Sequence, residues 1–327
     1  MTSGTGRTVL VTGGAGFIGS HLVERLLAED NHVVVIDNLS TGRWSNIAHL
    51  EADPRLRVIV ASAEEPELVT QEVARAHLVY HLASAVGVRL IMEQPVHTVE
   101  SIFRTTDVVL TACARFRRPV VITSTSEVYG KSSAVPFREQ DDVVMGSTEK
   151  RRWAYACAKA LDEFLALAHH HQSKLPVYVV RLFNTVGPRQ TGQYGMVLPT
   201  FVRQALSGKP ITVHGDGAQS RCFCSVFDVV EALMGLPRQA AAAGQVVNVG
   251  SQEEISMAGL AQRIVERTGS ASEITYIPYD EAFGDGFDDM RRRVPDLSRI
   301  GELIGWKPKH TLDQIIDQVV AEFRKGG

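Results

Sequence analysis

Two short stretches carry the side chains best suited to chemistry. Tyr155 and Lys159 are four residues apart, a spacing that places both side chains on one face of a helix. An ammonium beside a phenol favours the phenolate and lowers the tyrosine pKa, which makes Tyr155 a candidate general base. Earlier in the chain, an apolar run from Ile122 ends in hydroxyl groups and one carboxylate, with Thr125 and Glu127 among them. The rest of the chain must bring a cofactor and a substrate to these groups.

The composition is that of an ordinary globular protein. The 327 residues suffice for one large α/β domain or two smaller ones, and 44% of them are hydrophobic. A net charge of −3 gives no indication of a nucleic-acid or membrane-surface partner. No apolar run is long enough for a membrane span, and the first residues lack the layout of a signal peptide. The spacing of the four cysteines indicates reduced thiols, so we expect a cytoplasmic protein.

A glycine-rich turn near the N-terminus predicts a dinucleotide site. It stands between an apolar strand at residues 7–12 and a helix, and a second apolar strand follows at 32–37. Gly13, Gly16 and Gly19 allow a tight turn and the close approach of a pyrophosphate to the helix N-terminus. A carboxylate at the end of the second strand, Asp37, can accept hydrogen bonds from ribose hydroxyls and repels a 2′-phosphate, which favours NAD over NADP.

The order of predicted elements indicates an α/β fold built on a doubly wound parallel sheet. Strands and helices alternate as far as Asn184, and the glycine turn, Ala83, Thr125 and Asn184 all follow predicted strands. Residues 1–184 are therefore predicted to form a dinucleotide-binding domain. Residues 185–327 are predicted to form mainly a smaller mixed α/β substrate-binding domain, with some segments returning to the first. The run His169-His170-His171 is not expected to bind metal, because consecutive helical side chains point in different directions.

The chain resembles the extended short-chain dehydrogenase/reductase superfamily, in its nucleotide-sugar epimerase/dehydratase branch. The resemblance covers nearly the whole chain, from about Thr8 to about Pro308, and implies a Rossmann-type first domain. It departs from the family after the third strand, at residues 61–64, and in the helix at 101–105. The motifs that carry it stand at residues 12–22, 37–42, 81–84, 124–130, 155–159, 181–188, 215–221 and 305–308.

The resemblance implies a role for each candidate residue. Tyr155 takes the proton of the sugar 4-hydroxyl while NAD+ takes the hydride from C4. Lys159 holds the nicotinamide ribose and lowers the Tyr155 pKa, and Thr125 hydrogen-bonds the 4-oxygen. The remaining cofactor candidates are Gly13, Gly16, Phe17, Ile18, Gly19, Asp37, Asn38, Ser40, Thr41, Gly42, Leu82 and Ala83.

The substrate candidates also follow from the resemblance. Asn184 and Arg221 are implied contacts of the diphosphate, and His214 is implied to lie against the nucleotide base. From the cluster of three arginines at 291–293, Arg292 is chosen as a phosphate ligand. The full set is Val86, Ser126, Asn184, Arg189, Val197, Val213, His214, Arg221 and Arg292.

The resemblance leaves the reaction open. Every branch first oxidises C4 to a 4-keto sugar. A 4-epimerase of UDP-hexose or UDP-hexuronate is placed slightly ahead of a UDP-glucuronate decarboxylase. The triplet Thr125-Ser126-Glu127 resembles the decarboxylases and lacks the Asp-Glu pair of a 4,6-dehydratase, while other stretches resemble epimerases. A non-catalytic NAD-binding regulator is kept as a different class. The family also implies a homodimer formed through the helices at 98–113 and 155–169.

Overall fold

The glycine turn lies inside a βαβ unit at the start of the fold. In the computed structural model, residues 6–84, 94–192, 196–283 and 290–325 are described. Strand β1 (Thr8–Thr12) leads through the turn into helix α1 (Phe17–Ala28), and β2 (His32–Asp37) pairs parallel to β1. The apolar residues of both strands are buried, which is why these short runs form the middle of a sheet.

Seven parallel strands form the main sheet, which confirms the predicted fold class. Their order is β11 (Gln245–Val249), β6 (Val177–Leu182), β5 (Val120–Thr125), β4 (Leu78–His81), β1, β2 and β3 (Leu56–Val60), so the direction of chain progression reverses beside β1. Parallel pairing requires a crossover between successive strands, and helices supply it here. These elements are β3 (Leu56–Val60), α2 (Pro66–Arg75), β4 (Leu78–His81), α3 (Pro95–Phe116), β5 (Val120–Thr125), α4 (Ala154–Ser173) and β6 (Val177–Leu182).

The second half of the chain adds one strand to this sheet and builds a smaller unit of helices and short strand pairs. Strand β11 (Gln245–Val249) pairs parallel to β6, although it lies beyond the predicted boundary at residue 184. That boundary stays a prediction. The elements are β7 (Thr185–Val186), α5 (Val197–Leu206), β8 (Ile211–His214), β9 (Ser220–Cys222), β10 (Cys224–Ser225), α6 (Val226–Gly235), β12 (Glu254–Ser256), α7 (Met257–Thr268), β13 (Ile274–Ile277), α8 (Tyr279–Phe283), α9 (Ser298–Ile304) and α10 (Leu312–Lys325).

Three large apolar clusters fix the layers. One packs α1, α6 and α9 on one face of the sheet, and a second packs α2, α3 and α4 on the other. A third joins α5, α7 and α10 in the smaller unit. Covering both faces of a parallel sheet leaves the carboxyl ends of its strands as the open edge, where ligands bind in such folds. No helix in the described ranges has the length and apolar character that crossing a membrane requires.

Candidate active site

One cavity of about 1070 Å³ lies at the carboxyl ends of the strands. It is lined by the glycine turn and the ends of β2, β4, β5 and β6, and on the other side by residues of the smaller unit. The volume stands at the upper end of the usual range for ligand pockets, so it suits a cofactor and a substrate together.

The glycine turn places an open helix N-terminus at the cavity. Gly16 is the N-terminal cap of α1 and, as a glycine, has no side chain that could cover the first N–H groups of the helix. Gly16, Phe17 and Ile18 line the cavity. Gly13 has a φ of +74°, and a Cβ there would lie 2.7 Å from the backbone nitrogen of Ala83. The turn therefore requires glycine for both its conformation and its packing. A helix N-terminus with free N–H groups is a binding site for phosphate.

Asp37 lies beside this turn and helps to hold it. Its Oδ2 accepts a hydrogen bond of 2.9 Å from the Ala15 nitrogen, and its Oδ1 accepts one of 2.8 Å from the Leu39 nitrogen. Burial raises its pKa, while these backbone hydrogen bonds oppose the shift. A Cβ at Gly42 would come within 2.8 Å of the carboxylate, so a glycine is needed for this contact. Each carboxylate oxygen keeps a lone pair that can accept a hydroxyl hydrogen.

Tyr155 and Lys159 occupy successive turns at the start of α4 and both line the cavity. Burial raises the pKa of Tyr155, the charges of Glu127 and Asp162 raise it further, and a hydrogen bond with the Thr125 side chain lowers it. The Lys159 ammonium is 2.8 Å from Oδ2 of Asp162. Lys159 is thus paired with a buried carboxylate that sequence reasoning did not identify, and its effect on the Tyr155 pKa stays a prediction.

Glu127 is enclosed by guanidinium groups. Arg152 donates to both of its carboxylate oxygens, with 2.9 Å between Nη2 and Oε1, and Nη1 of Arg293 lies 3.3 Å from Oε1. All three residues are at most 9% exposed. Burial alone would raise the pKa of Glu127, but the arginines outweigh it and lower that pKa to about 2. The site thus contains a carboxylate that stays ionised and a local excess of positive charge.

The other wall of the cavity comes from the smaller unit. Arg221 on β9 is 7% exposed and its charge also lowers the pKa of Glu127. Asn184 follows β6 and has a φ of +34°. Its side-chain Nδ2 donates a hydrogen bond of 3.0 Å to the carbonyl oxygen of Cys222. His214 ends β8, and burial lowers its pKa, so it is neutral near pH 7. All three residues line the cavity, and their contacts with a diphosphate and a base stay predictions.

Most of the candidates named from the sequence line this one cavity. The exceptions are Gly42, Arg189, Val213 and Arg292, and Val86 lies outside the described residues. Those that line it are Gly13, Gly16, Phe17, Ile18, Gly19, Asp37, Asn38, Ser40, Thr41, Leu82, Ala83, Thr125, Ser126, Glu127, Tyr155, Lys159, Asn184, Val197, His214 and Arg221.

The candidates outside the cavity have other surroundings. Arg189 pairs with Glu24, and Val213 is fully buried in the apolar cluster of the smaller unit. Arg292 is half exposed and pairs with Glu254 through two nitrogens, at 2.8 and 2.7 Å. Its neighbour Arg293 lines the cavity instead. Adjacent side chains of an extended segment point to opposite sides, so a choice within the cluster could not be made from composition.

Sequence reasoning missed three cavity residues of the described ranges that bear on the chemistry, namely Arg152, Arg293 and Tyr279. Arg152 had a signal, because it precedes Tyr155 by three residues, and this spacing shares a face when a helix begins there. Tyr279 packs against Gly215, which follows His214. Its distance in sequence from the other candidates hid this contact. No group of three or more potential metal ligands is found among the described residues.

Comparison with known proteins identifies the family to which this chain belongs. The model of the GDP-mannose 4,6-dehydratase family matches residues 10–319 of the chain. The chain belongs to this family. It is accordingly an enzyme of the extended short-chain dehydrogenase/reductases, a group that contains nucleotide-sugar epimerases and dehydratases.

Individual relatives narrow the comparison. A UDP-N-acetyl-α-D-glucosaminuronate decarboxylase of Bacillus cytotoxicus is 38% identical over 97% of each chain. UDP-glucuronic acid decarboxylase 2 of Arabidopsis thaliana is 37% identical over 98% of this chain and 69% of its own. The UDP-glucuronic acid 4-epimerase of Bacillus cereus, solved with UDP-glucuronic acid and NAD, superposes with a TM-score of 0.87 at 26% identity, over 98% of this chain and all of that one.

NAD is the cofactor of this family member, as predicted. The residues fit the group: the open N-terminus of α1 suits the pyrophosphate, and the buried Asp37 carboxylate suits ribose hydroxyls. When bound, NAD supplies a hydride acceptor and donor. Gly16, Phe17, Asp37, Tyr155 and Lys159 are the residues we propose to hold it.

Proposed function

We propose that this enzyme is a UDP-hexuronate decarboxylase, acting on UDP-glucuronate or its N-acetylglucosaminuronate counterpart. The observation that carries the proposal is the buried cluster of Glu127, Arg152 and Arg293 next to Thr125 and Tyr155. The two relatives at 38% and 37% identity are decarboxylases, which supports the same choice. This reverses the order of the two reactions inferred from the sequence, where 4-epimerisation was placed first.

Tyr155 and Thr125 serve the first step, the oxidation at C4. Tyr155, as its phenolate, accepts the proton of the 4-hydroxyl while the hydrogen on C4 leaves as hydride, and the Thr125 hydroxyl holds the same oxygen. Lys159, one helical turn further along α4, supplies positive charge close to the phenol. The product is a 4-keto sugar whose C5 carboxylate is β to the ketone. Such a ketone can accept the electron pair released when the carboxylate leaves.

Glu127 suits the loss of carbon dioxide because it keeps its negative charge. As the C5–C6 bond breaks, charge moves from the carboxylate of the sugar to the C4 oxygen. A fixed anion near the carboxylate and hydroxyls at the oxygen favour that movement. One proton from solvent replaces the carboxylate at C5. The ketone is then reduced by return of the hydride removed in the first step, and Tyr155 gives back the proton it accepted. Arg152 and Arg293 hold Glu127 in place and keep the pocket electropositive, which attracts a uronate.

A second candidate is the 4-epimerisation of a UDP-hexuronate. It is favoured by the likeness of the whole fold to the Bacillus cereus 4-epimerase. The two reactions share every residue of the oxidation step, so the choice depends on what Glu127 and its arginines do to the 4-keto sugar.

Product analysis distinguishes the candidates. The purified protein is incubated with NAD+ and, in separate reactions, UDP-glucuronate, UDP-N-acetylglucosaminuronate, UDP-glucose and UDP-N-acetylglucosamine. Mass spectrometry and NMR identify the products. Loss of carbon dioxide from either uronate supports the proposal. A new isomer of unchanged mass as the only product supports the 4-epimerase, and loss of water would contradict both.

We also propose that the enzyme is a homodimer formed through α3 and α4. Both helices expose apolar side chains: Phe164 is 69% exposed, Val96 is 70% exposed and Leu161 is 48% exposed. Phe164→Glu should convert a dimer into a monomer in light scattering after gel filtration, with the fold retained by circular dichroism. A wild-type protein that elutes as a monomer at micromolar concentration would contradict this assignment.

A further inference from the structure

A buried ion pair lies directly behind the candidate base. Nζ of Lys159 is 2.8 Å from Oδ2 of Asp162, three residues further along α4. Lys159 is 3% exposed and lines the cavity, whereas Asp162 is fully buried and lies outside its lining. A buried carboxylate is costly unless it is paired, so this contact fixes where the ammonium stands.

A chain of hydrogen bonds supports the carboxylate from the far side. The Thr106 side chain of α3 hydrogen-bonds Asp162, and its Oγ1 is 3.2 Å from Nε2 of His81. Nδ1 of His81 is 2.8 Å from Oγ1 of Thr12, which accepts a bond from the backbone nitrogen of Ala83. This series of hydrogen bonds therefore connects Thr12, the residue before the glycine turn, to Asp162, the partner of Lys159.

The position of the proton in each of these hydrogen bonds can be assigned. Burial and the Lys159 charge lower the pKa of His81 to about 3, so its ring is neutral with one donor and one acceptor. Thr12 accepts from Ala83 and donates its own proton to Nδ1 of His81. Nε2–H then donates to Thr106, whose hydroxyl is free to donate to Asp162. This direction leaves the Thr106 proton for Asp162. Burial raises the pKa of that carboxyl, while the Lys159 ammonium and the Thr106 hydrogen bond oppose the shift.

We propose that Asp162 is a positioning residue, which fixes the Lys159 ammonium at the cavity wall and offsets part of its charge on Tyr155. The proposal rests on the roles of Tyr155 and Lys159 in the proposed function, but not on whether decarboxylation or epimerisation follows. Without the carboxylate the ammonium would act on the phenol at full strength. Asp162 thus raises the pKa of Tyr155 in the free enzyme and limits how much phenolate forms.

The charges around Tyr155 set the direction of the expected change. Glu127 and Asp162 favour its protonated form, while Arg152 and the bond from Thr125 favour the phenolate. Asp162 itself faces Lys159, Thr106 and the Glu163 carboxylate. Removing the charge of Asp162 leaves the other groups in place, so the pKa of Tyr155 should fall.

Fluorine NMR tests this without any turnover. The protein is produced with 3-fluorotyrosine at its seven tyrosines, and the Tyr155 resonance is assigned by its loss in Tyr155→Phe. In Asp162→Asn, we expect the Tyr155 resonance to titrate about one pH unit lower than in the wild type. Asp162→Glu, which keeps the charge, should restore the wild-type midpoint. Asp107→Asn, a neighbour of Thr106 on α3, should leave it unchanged.

The proposal is overturned if the Tyr155 resonance has the same titration midpoint in the wild type and in a folded Asp162→Asn protein. It is also overturned if the resonance shows no titration in either protein. If circular dichroism shows that the asparagine variant is unfolded, Asp162→Ser removes the same charge with a smaller side chain and is read in the same way. Because no substrate is present, failure here leaves the proposed function untouched. Failure of the product analysis likewise leaves this titration valid.

Discussion

Arg152 holds both carboxylate oxygens of Glu127, although the two residues are 25 positions apart in the chain. The contact joins the residue two places after Thr125 to the residue three places before Tyr155. Both residues are almost fully buried, with Arg152 only 2% exposed. The carboxylate is therefore held in a fixed orientation and in its ionised form, close enough for its charge to act on Tyr155.

Glu127→Gln should stop decarboxylation while sparing the first oxidation. The amide has the shape of the carboxylate but no charge, so it cannot favour the movement of negative charge away from C6. We expect carbon dioxide release to fall at least about 100-fold, a loss comparable to that of one electrostatic group in other active sites. Reduced nicotinamide, followed by absorbance, should still form and should accumulate.

The matched control is Glu149→Gln, which changes an exposed carboxylate in the segment that leads to Arg152. It should turn over at the wild-type rate. Normal carbon dioxide release by a folded Glu127→Gln protein would exclude the assigned role of this carboxylate.

Arg152→Lys should be only partly active and Arg152→Met inactive. Lysine keeps a charge but cannot donate two parallel bonds, and methionine leaves Glu127 buried with fewer partners. Breaking a buried pair costs about 3–5 kcal/mol, so the free energy of unfolding of Arg152→Met should fall by a similar amount. Urea titration measures this loss. Arg151→Lys, at the exposed neighbouring position, should change neither quantity.

Arg293→Met should lower kcat/KM strongly, and Arg292→Met should have little effect. The two side chains are adjacent in sequence, yet Arg293 contacts Glu127 inside the cavity and Arg292 contacts Glu254 at the surface. Steady-state kinetics on both variants gives the comparison. The reverse ranking would show that the surface arginine carries the function and that the original choice of Arg292 was sound.

The acid stability of the protein should depend on Glu127. Its pKa is about 2 in the folded state and about 4.5 in an unfolded chain, so its ion pairs stabilise the fold above the unfolded value. This contribution, on the order of 3 kcal/mol, is lost as the pH falls from about 5 towards 2. Urea unfolding from pH 7 to 3 should therefore show a steeper loss for the wild type than for Glu127→Gln. Parallel curves would contradict the depressed pKa.

Gly42→Ala should weaken NAD+ binding without unfolding the protein. A Cβ there would lie 2.8 and 2.9 Å from the two oxygens of Asp37 and would push the carboxylate out of place. Calorimetry should show a Kd raised by about tenfold or more, the equivalent of about one hydrogen bond to a charged group. Gly301→Ala, where the nearest atom is 3.9 Å away, is the control. An unchanged Kd in Gly42→Ala would argue against Asp37 as a ribose ligand.

The framework of the fold was predictable because its signals are local. Strand β2 has the bounds that the sequence pattern predicts, since an apolar run and turn residues delimit it. The short pairs β9–β12 and β8–β13 were not predicted in full. Their strands are three or four residues long and depend on partners far away in the chain.

The residues of the candidate site that belong to local sequence motifs were predictable, and those that depend on contacts between distant residues were not. The glycine turn and the pair of Tyr155 and Lys159 can be predicted from the spacing of these residues along the sequence. The enclosure of Glu127 depends on a contact with Arg293 across 166 positions, which no local pattern contains. Asp162 was overlooked because one carboxylate on a helix usually faces solvent, and only the packing of α3 against α4 buries it.

The central claim is that this enzyme removes the carboxylate of a UDP-hexuronate and that Glu127 is required for it. The most direct test uses UDP-glucuronate and UDP-N-acetylglucosaminuronate labelled at C6, with NAD+, and counts labelled carbon dioxide. We predict release from at least one of them by the wild type and by Glu149→Gln, and none above background by Glu127→Gln. Retention of the label in a product of unchanged mass would contradict the claim.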